Sequence, residues 1–331
     1  KPVKFLKHIL TLQNAIESKN CNVLDYFAGS GTTAHAVINL NRENGGKRKY
    51  ILVEMGDYFD TVLKPRIQKV IYSADWKDGK PTSRDTGISH CFKYIRLESY
   101  EDTLNNLDLR RTEQQADLFN AQDEGAKSFK EDYILRYMLD VESRGSASLL
   151  NTEAFMEPTS YKLKVKIPGS DESRVVTVDL IETFNYLLGL QVEHIAAPQR
   201  LSADFERDSE KRLCIKGRLK ELSSAPSASL RETSSSWWFR TVTGTTLDGR
   251  KILVIWRNRP GGESPEGVEQ DNLVLDEWFK KMGYSSKDRE FDLIYVNGTN
   301  NLENLKTPDD QWKVRLIEED FKRLMFEETG V

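Results

Sequence analysis

The stretch that most constrains this chain is Asn22 to Thr33, NVLDYFAGSGTT, with an acid, Glu54, some twenty residues beyond it. Asn22–Phe27 reads as a short buried strand, because Val23, Leu24, Tyr26 and Phe27 are apolar and Asp25 is the one charge. A run of small residues, Ala28-Gly29-Ser30-Gly31, follows at once. Thr32–Leu40 then places Ala34, Val37 and Ile38 at helical spacing. Strand, glycine turn and helix is the arrangement in which backbone amides and a helix N-terminus face a ligand. A side chain in that turn would keep a cofactor away from the backbone, so glycine is expected there.

Three ligand chemistries fit such a turn, and the residues separate them. A phosphate-binding P-loop needs a lysine after its last glycine, and none follows Gly31. A dinucleotide fingerprint is matched by Gly29-Ser30-Gly31-Thr32-Thr33-Ala34, with Glu54 at a suitable distance, and it implies a nicotinamide oxidoreductase. A loop for S-adenosylmethionine cradles a zwitterionic methionine moiety and no diphosphate. Asp25, four residues before Gly29, suits that cofactor better.

DYFAGSGTTAHAV resembles the cofactor-binding motif of amino-methylating DNA methyltransferases, and KYILVEMGDYFDTVLKPRIQKVI resembles the motif that follows it. Lys1-Pro2-Val3-Lys4-Phe5-Leu6 is similar to the KP motif, which precedes the glycine loop in one circularly permuted subclass. The run from YSADWKDGKP through HCFKYIRLESYEDTLNNL looks like the modification subunits of type III restriction systems, so the likeness covers roughly the first 110 residues. The resemblance implies adenine N6 methylation of DNA in the cytoplasm, with S-adenosylmethionine as cofactor. It implies cofactor contacts from Lys1, Pro2, Asp25, Phe27, Ala28, Gly29, Ser30, Gly31, Thr32, Glu54 and Met55. Glu54 would take the ribose hydroxyls and Met55 would flank the adenine. The implied partners are DNA and a restriction subunit or second modification subunit.

Methylating an exocyclic amine requires the enzyme to hold the amino group and localise its lone pair. The family does this with a D/N/S-P-P-Y/F/W motif. All ten prolines here stand apart, with no Pro-Pro pair, so the tetrapeptide is absent. The expectation is a C-terminal portion of a larger methyltransferase, carrying half of the cofactor site, no catalytic residue and no activity alone.

The expected fold class is α/β: a partial doubly wound S-adenosylmethionine-dependent methyltransferase sheet, followed by a mixed α/β C-terminal module. The expected division is residues 1–107 as the first domain, 108–130 as a linker and 131–331 as the module, with the serine-rich loop 222–236 as a point of division within it. In the first part, helices are expected over Pro2–Ser18 and Asp57–Ser73, the latter kinked or broken at Pro65. Strands are expected at Lys49–Glu54 and Cys91–Leu97. Further on come a hairpin around Pro168–Asp171 and a helix Leu180–Leu188 capped by Asp179. Trp237–Thr243 and Lys251–Trp256 should pair as strands. Asn272–Met282 and Glu318–Glu327 read as helices, and Phe291–Val296 and Trp312–Leu316 as strands. Tyr133–Val141 reads as one more helix.

Charge divides along the same line. Residues 1–100 carry 16 Lys and Arg against 10 Asp and Glu, and the remaining residues 32 against 42. The basic part tolerates a polyanion, and the acidic part suits protein contacts, which makes an assembly module the alternative role for this chain. Cys21, Cys91 and Cys214 are far apart and lack metal-ligand spacing, as reduced thiols would. No apolar run approaches a membrane span. Glu318, Glu319 and Asp320 read as acids at a helix start, not as metal ligands.

Overall fold

The computed structural model describes residues 2–12, 18–83, 85–108, 143, 145–222 and 236–326. The chain divides into two compact units, residues 1–98 with 166–174, and residues 99–165 with 175–331. The expected linker past Asp108, the helix at Tyr133–Val141 and all but the ends of the serine-rich loop lie outside the described residues.

In the first unit, helix α1 (Val3–Leu12) precedes strand β1 (Asn22–Asp25), helix α2 (Thr32–Asn44) and strand β2 (Lys49–Leu52). Strands β1 and β2 are parallel, with Val23 opposite Tyr50 and Leu24 opposite Ile51, so α2 is a crossover helix. Ala34 and Ile38 of α2 pack with Leu63 and Ile67, and Ala36, Val37 and Leu40 pack with Leu10 of α1. Helix α2 is thus apolar on two sides and joins two small cores. It ends at Gly45 in the left-handed region.

The segment expected to kink or break at Pro65 is two helical geometries in series. Phe59–Leu63 forms a π-helical turn, closed by Lys64 N–H donating to Phe59 O, and α3 (Lys64–Tyr72) follows. Pro65 is the cause: it has no N–H for the α-pattern and is tolerated only in the first turn of a new helix. Beyond α3, the Asp78-Gly79 turn joins a two-residue ladder, β3 (Trp76–Lys77) with β4 (Lys80–Pro81).

The strand expected at Cys91–Leu97 does not form. His90 stacks on Tyr50 and Tyr94 lies against Phe59, but no backbone ladder joins this segment to another among the described residues. Alternation gave it two faces, and a strand also needs a partner edge.

The second unit begins with helix α4 (Tyr100–Asn105) and three 3-10 turns between Ala147 and Ser160. Strands β5 (Lys162–Lys166) and β6 (Ser173–Thr177) form the expected hairpin, whose turn, residues 166–174, is grouped with the first unit. Helix α5 (Leu180–Leu187) follows, and Asp179 accepts from Glu182 N–H at its start.

Five short strands come next that alternation did not reveal: β7 (Gln191–Ile195), β8 (Gln199–Ser202), β9 (Phe205–Arg207), β10 (Leu213–Ile215) and β11 (Lys220–Glu221). Then come β12 (Ser236–Thr245), β13 (Lys251–Arg257), helix α6 (Pro265–Lys281), β14 (Leu293–Val296), β15 (Val314–Leu316) and helix α7 (Ile317–Phe326). The sheet order is β11-β8-β12-β13-β14-β15, with β7 also on β12. Strands β13, β14 and β15 are parallel, while β12 runs against β13, so the unit is mixed α/β.

The run Ile252-Leu253-Val254-Ile255-Trp256 is apolar throughout because both faces of β13 are covered. Ile252, Val254 and Trp256 face a core with Phe155, Phe184 and Phe321. Leu253 and Ile255 face another with Trp237, Phe239 and Trp278. Trp237 is therefore core, with its indole N–H donating to the buried Asp271 at 2.8 Å.

Candidate functional site

Strand β1 delivers Asp25, and the next residues turn back on themselves. Ala28 N–H donates to Val53 O at 3.2 Å and Gly31 N–H to Ala28 O at 2.9 Å, which ties the loop to the end of β2. Gly29 and Gly31 lie at φ 55° and 75°, where a side chain is strained. Their surroundings differ. A Cβ on Gly29 would touch only Phe27 O, at an ordinary 4.0 Å, whereas one on Gly31 would lie 3.1 Å from Leu63 Cγ and 3.4 Å from Ile67 Cδ1. Gly31 is thus required by packing as well as by its backbone angle, and Gly29 keeps the outer side of the loop clear.

Asp25 is bound on both oxygens. Thr33 Oγ1 donates to Oδ2 and Phe27 N–H to Oδ1, so this acid fixes the strand end and the first turn of α2. Glu54 closes the other side: Oε2 accepts from Gly29 N–H at 2.8 Å and Oε1 from Gly56 N–H at 2.9 Å. The Gly56 and Gly29 amides, with help from the Tyr58 hydroxyl, hold its carboxyl below the usual carboxylate range. A carboxylate so held is oriented and ionised at neutral pH, with acceptor capacity left for a pair of hydroxyls.

The structure brings Asp25, Ala28, Gly29, Ser30, Gly31, Thr32 and Glu54 together. Phe27 and Met55 flank the same loop with 89% and 94% of their surfaces exposed. Two large apolar side chains that pack on nothing, beside a clear glycine, fit a flat heterocycle. Pro2 sits exposed before α1, and among the described residues no hydrogen bond joins it to the loop. Lys1 lies outside the described residues.

Sequence reasoning missed Arg66 and His35. Arg66, on α3, donates through Nη1 to Ser30 Oγ at 2.8 Å, to Thr32 Oγ1 at 3.1 Å and to Ser30 O at 3.3 Å. Its Nε also donates to His35 Nδ1 at 3.4 Å. Burial first, then the charges of Arg66 and Arg42, push the His35 imidazole down to about 4, so it is neutral at pH 7. No pattern in the sequence marked Arg66: it directly precedes Ile67, but that Ile67 packs beside Gly31 is seen only in the fold.

In the second unit, Glu318, Glu319 and Asp320 lie in the first turn of α7, as the sequence reading has it, and two of them do more than favour the helix dipole. Asp320 is buried: Oδ2 accepts from Tyr295 OH at 2.8 Å, and Oδ1 from Arg315 at 2.8 Å and Arg323 at 3.2 Å. Glu318 Oε1 accepts from Gly298 N–H at 2.7 Å. Both acids hold the chain ends of β14 and β15 to α7.

Residues 1–64 match a protein family described as DNA methylase. The chain is 37% identical over 123 residues to the Type III restriction-modification enzyme StyLTI Mod subunit of Salmonella typhimurium, covering 33% of this chain and 18% of that protein. It is 49% identical over 51 residues to the Type II methyltransferase M.KpnI of Klebsiella pneumoniae, covering 15% of this chain and 12% of that protein. The chain thus spans less than a fifth of the length of these relatives. No solved structure matches it. Over the matched residues the chain resembles DNA methylases, among them the modification subunit of a type III restriction-modification enzyme.

Proposed function

We propose that the first unit is the S-adenosylmethionine-binding part of a DNA methyltransferase that methylates adenine N6 within a restriction-modification system. The observation that carries this is Glu54, held by the amide of Gly29 at the lip of the glycine loop, with Phe27 and Met55 exposed beside it. In this reading Glu54 accepts from the two ribose hydroxyls. Phe27 and Met55 take the faces of the adenine, and the Ala28–Thr32 loop takes the methionine moiety. The bound cofactor supplies an electrophilic methyl group on a sulfonium sulfur. Asp25, with both oxygens engaged, acts by fixing the loop.

These residues contain no Pro-Pro pair, so the element that grips the target amine is not among them, and we expect no methyl transfer by this chain alone. DNA contact and a cytoplasmic location belong to the same reading. Among the described residues no helix is long and apolar enough to cross a membrane.

Calorimetric titration with S-adenosylmethionine, and with NAD in parallel, tests it. Saturable binding of the former alone, weakened in Asp25→Ala and Glu54→Ala, is the expected result. Binding of NAD alone would establish the oxidoreductase reading of the same glycines.

A second role has its own support. The second unit has a sheet covered on both faces, and the chain beyond residue 100 has an acidic excess. We propose that it docks a restriction subunit or a second modification subunit. Failure of the full chain to retain either in a pull-down at low salt would remove this role.

A further inference from the structure

Arg66 has one property that sets it apart from the other groups around the loop: a guanidinium can only donate. Ser30 Oγ, Ser30 O, Thr32 Oγ1 and His35 Nδ1 therefore all accept from it. The two hydroxyl oxygens lie 3.3 Å apart, so one of them also donates to the other. Which one donates follows from burial. Thr32 is 6% exposed, and its proton has no solvent to reach, whereas Ser30 is only half-buried on the loop. A buried hydroxyl whose proton finds no acceptor is costly, so Thr32 donates to Ser30.

Both lone pairs of Ser30 Oγ are then filled, one from Arg66 and one from Thr32. What Ser30 retains is its own O–H. The loop presents a donor there and cannot present an acceptor.

We propose that Arg66 is a positioning residue which, together with Thr32, fixes Ser30 as a hydrogen-bond donor to an anionic group of the ligand. On the cofactor reading above, on which this rests, that group is the carboxylate of the methionine moiety. The loop itself is clear at Gly29 for such an approach. Neutral His35 completes the arrangement by accepting from the guanidinium on its other side, which keeps Arg66 turned toward the loop.

The test compares S-adenosylmethionine with its decarboxylated form, which keeps the adenosine and the sulfonium and lacks the carboxylate. Binding of each to the 331-residue chain is measured for the wild type, Arg66→Gln, Arg66→Lys and Ser30→Ala, with the unfolding midpoint of every variant recorded. A hydrogen bond to a charged group is worth about tenfold or more in affinity. Arg66→Gln and Ser30→Ala should weaken S-adenosylmethionine by about that factor, and the decarboxylated form by less than about threefold. Arg66→Lys, which still donates to one hydroxyl, should recover part of the loss. Equal weakening of both compounds would make Arg66 a merely structural clamp and overturn the inference. Unchanged affinity in Arg66→Gln would overturn it as well, with the cofactor reading intact. A wild type that binds neither compound would remove the cofactor reading and this inference with it.

Discussion

Glu54 reaches back across twenty-five residues so that its Oε2 accepts from Gly29 N–H at 2.8 Å. One contact thereby joins the end of the second strand to the first glycine of the loop after the first strand. The carboxylate is a structural clip as well as the candidate ribose ligand, and its removal should do two things. Glu54→Gln keeps the shape but replaces one acceptor oxygen with a donor NH2, so S-adenosylmethionine affinity should fall about tenfold or more. The carboxyl is held below its ordinary range, so its contribution is present above the unfolded value of about 4.3 and is lost as pH falls through the folded value. Acid titration of the unfolding midpoint should therefore show a limb below about pH 4 in the wild type that shrinks in Glu54→Gln.

His35 titrates in a higher window, and there the fold favours the neutral form where at Glu54 it favours the charged one. Its folded value is about 4 against an ordinary value of 6.5, so between the two the unfolded chain binds more protons than the folded one. Stability should therefore rise with pH from about 4 to about 6.5 and be lost on acidification through that range. The ring is half-exposed, and screening reduces the effect to on the order of 1 kcal/mol. His35→Gln can present an oxygen to Arg66 and carries no titrating ring. Denaturant unfolding at pH 5 and pH 7.5 should show a smaller difference for this variant than for the wild type.

The readable and unreadable parts of the chain differ in what held them in place. In Asn22–Thr33 the order of strand, glycine turn and helix was readable because all three are local, and the parallel pair with its crossover helix follows from them. The buried strand expected over Asn22–Phe27 instead ends at Asp25, with Leu24, Tyr26 and Phe27 exposed. The run Ile252–Trp256 was readable because burial on both faces leaves no polar position. Strands such as Lys220–Glu221 and Phe205–Arg207 were not, since two or three residues carry no period and exist only through distant partners. Cys91–Leu97 failed the other way: its alternation was real, but the ladder partner was missing. At the site, Asp25, Glu54 and the glycines stood out as a motif. Arg66 stayed invisible because its role depends on a helix packing against the loop, and its spacing from Ser30 carries no pattern.

The two glycines of the loop should respond differently to a methyl group. Gly29→Ala adds left-handed strain alone, about 1–2 kcal/mol, because the new Cβ meets only Phe27 O at an ordinary contact distance of 4.0 Å. Gly31→Ala adds the same strain and presses on Leu63 at 3.1 Å and Ile67 at 3.4 Å, so α3 must shift. Overpacking of this kind costs about 1–3 kcal/mol more. Urea unfolding followed at Trp76, in the first unit, should rank wild type above Gly29→Ala and Gly29→Ala above Gly31→Ala. Equal losses would mean that the contact with α3 relaxes at no cost.

Asp320 and Glu319 stand side by side at the start of one helix, and only the first is built into the core. If both simply favoured the helix dipole, replacing either by alanine would cost a few tenths of a kcal/mol. The buried carboxylate of Asp320 instead satisfies the hydroxyl of Tyr295 and two guanidinium groups. The same carboxylate, with burial as the larger cause, pushes the Tyr295 phenol above its ordinary range. Removing it leaves a buried phenol without its acceptor and takes one carboxylate from Arg315 and Arg323. Asp320→Ala should therefore cost about 3 kcal/mol, while the exposed Glu319→Ala stays within about 0.5 kcal/mol. Denaturant unfolding of the two variants, read from the buried tryptophans of the second unit, decides between a hub and a helix start. Similar small losses for both would return Asp320 to the role of a dipole partner.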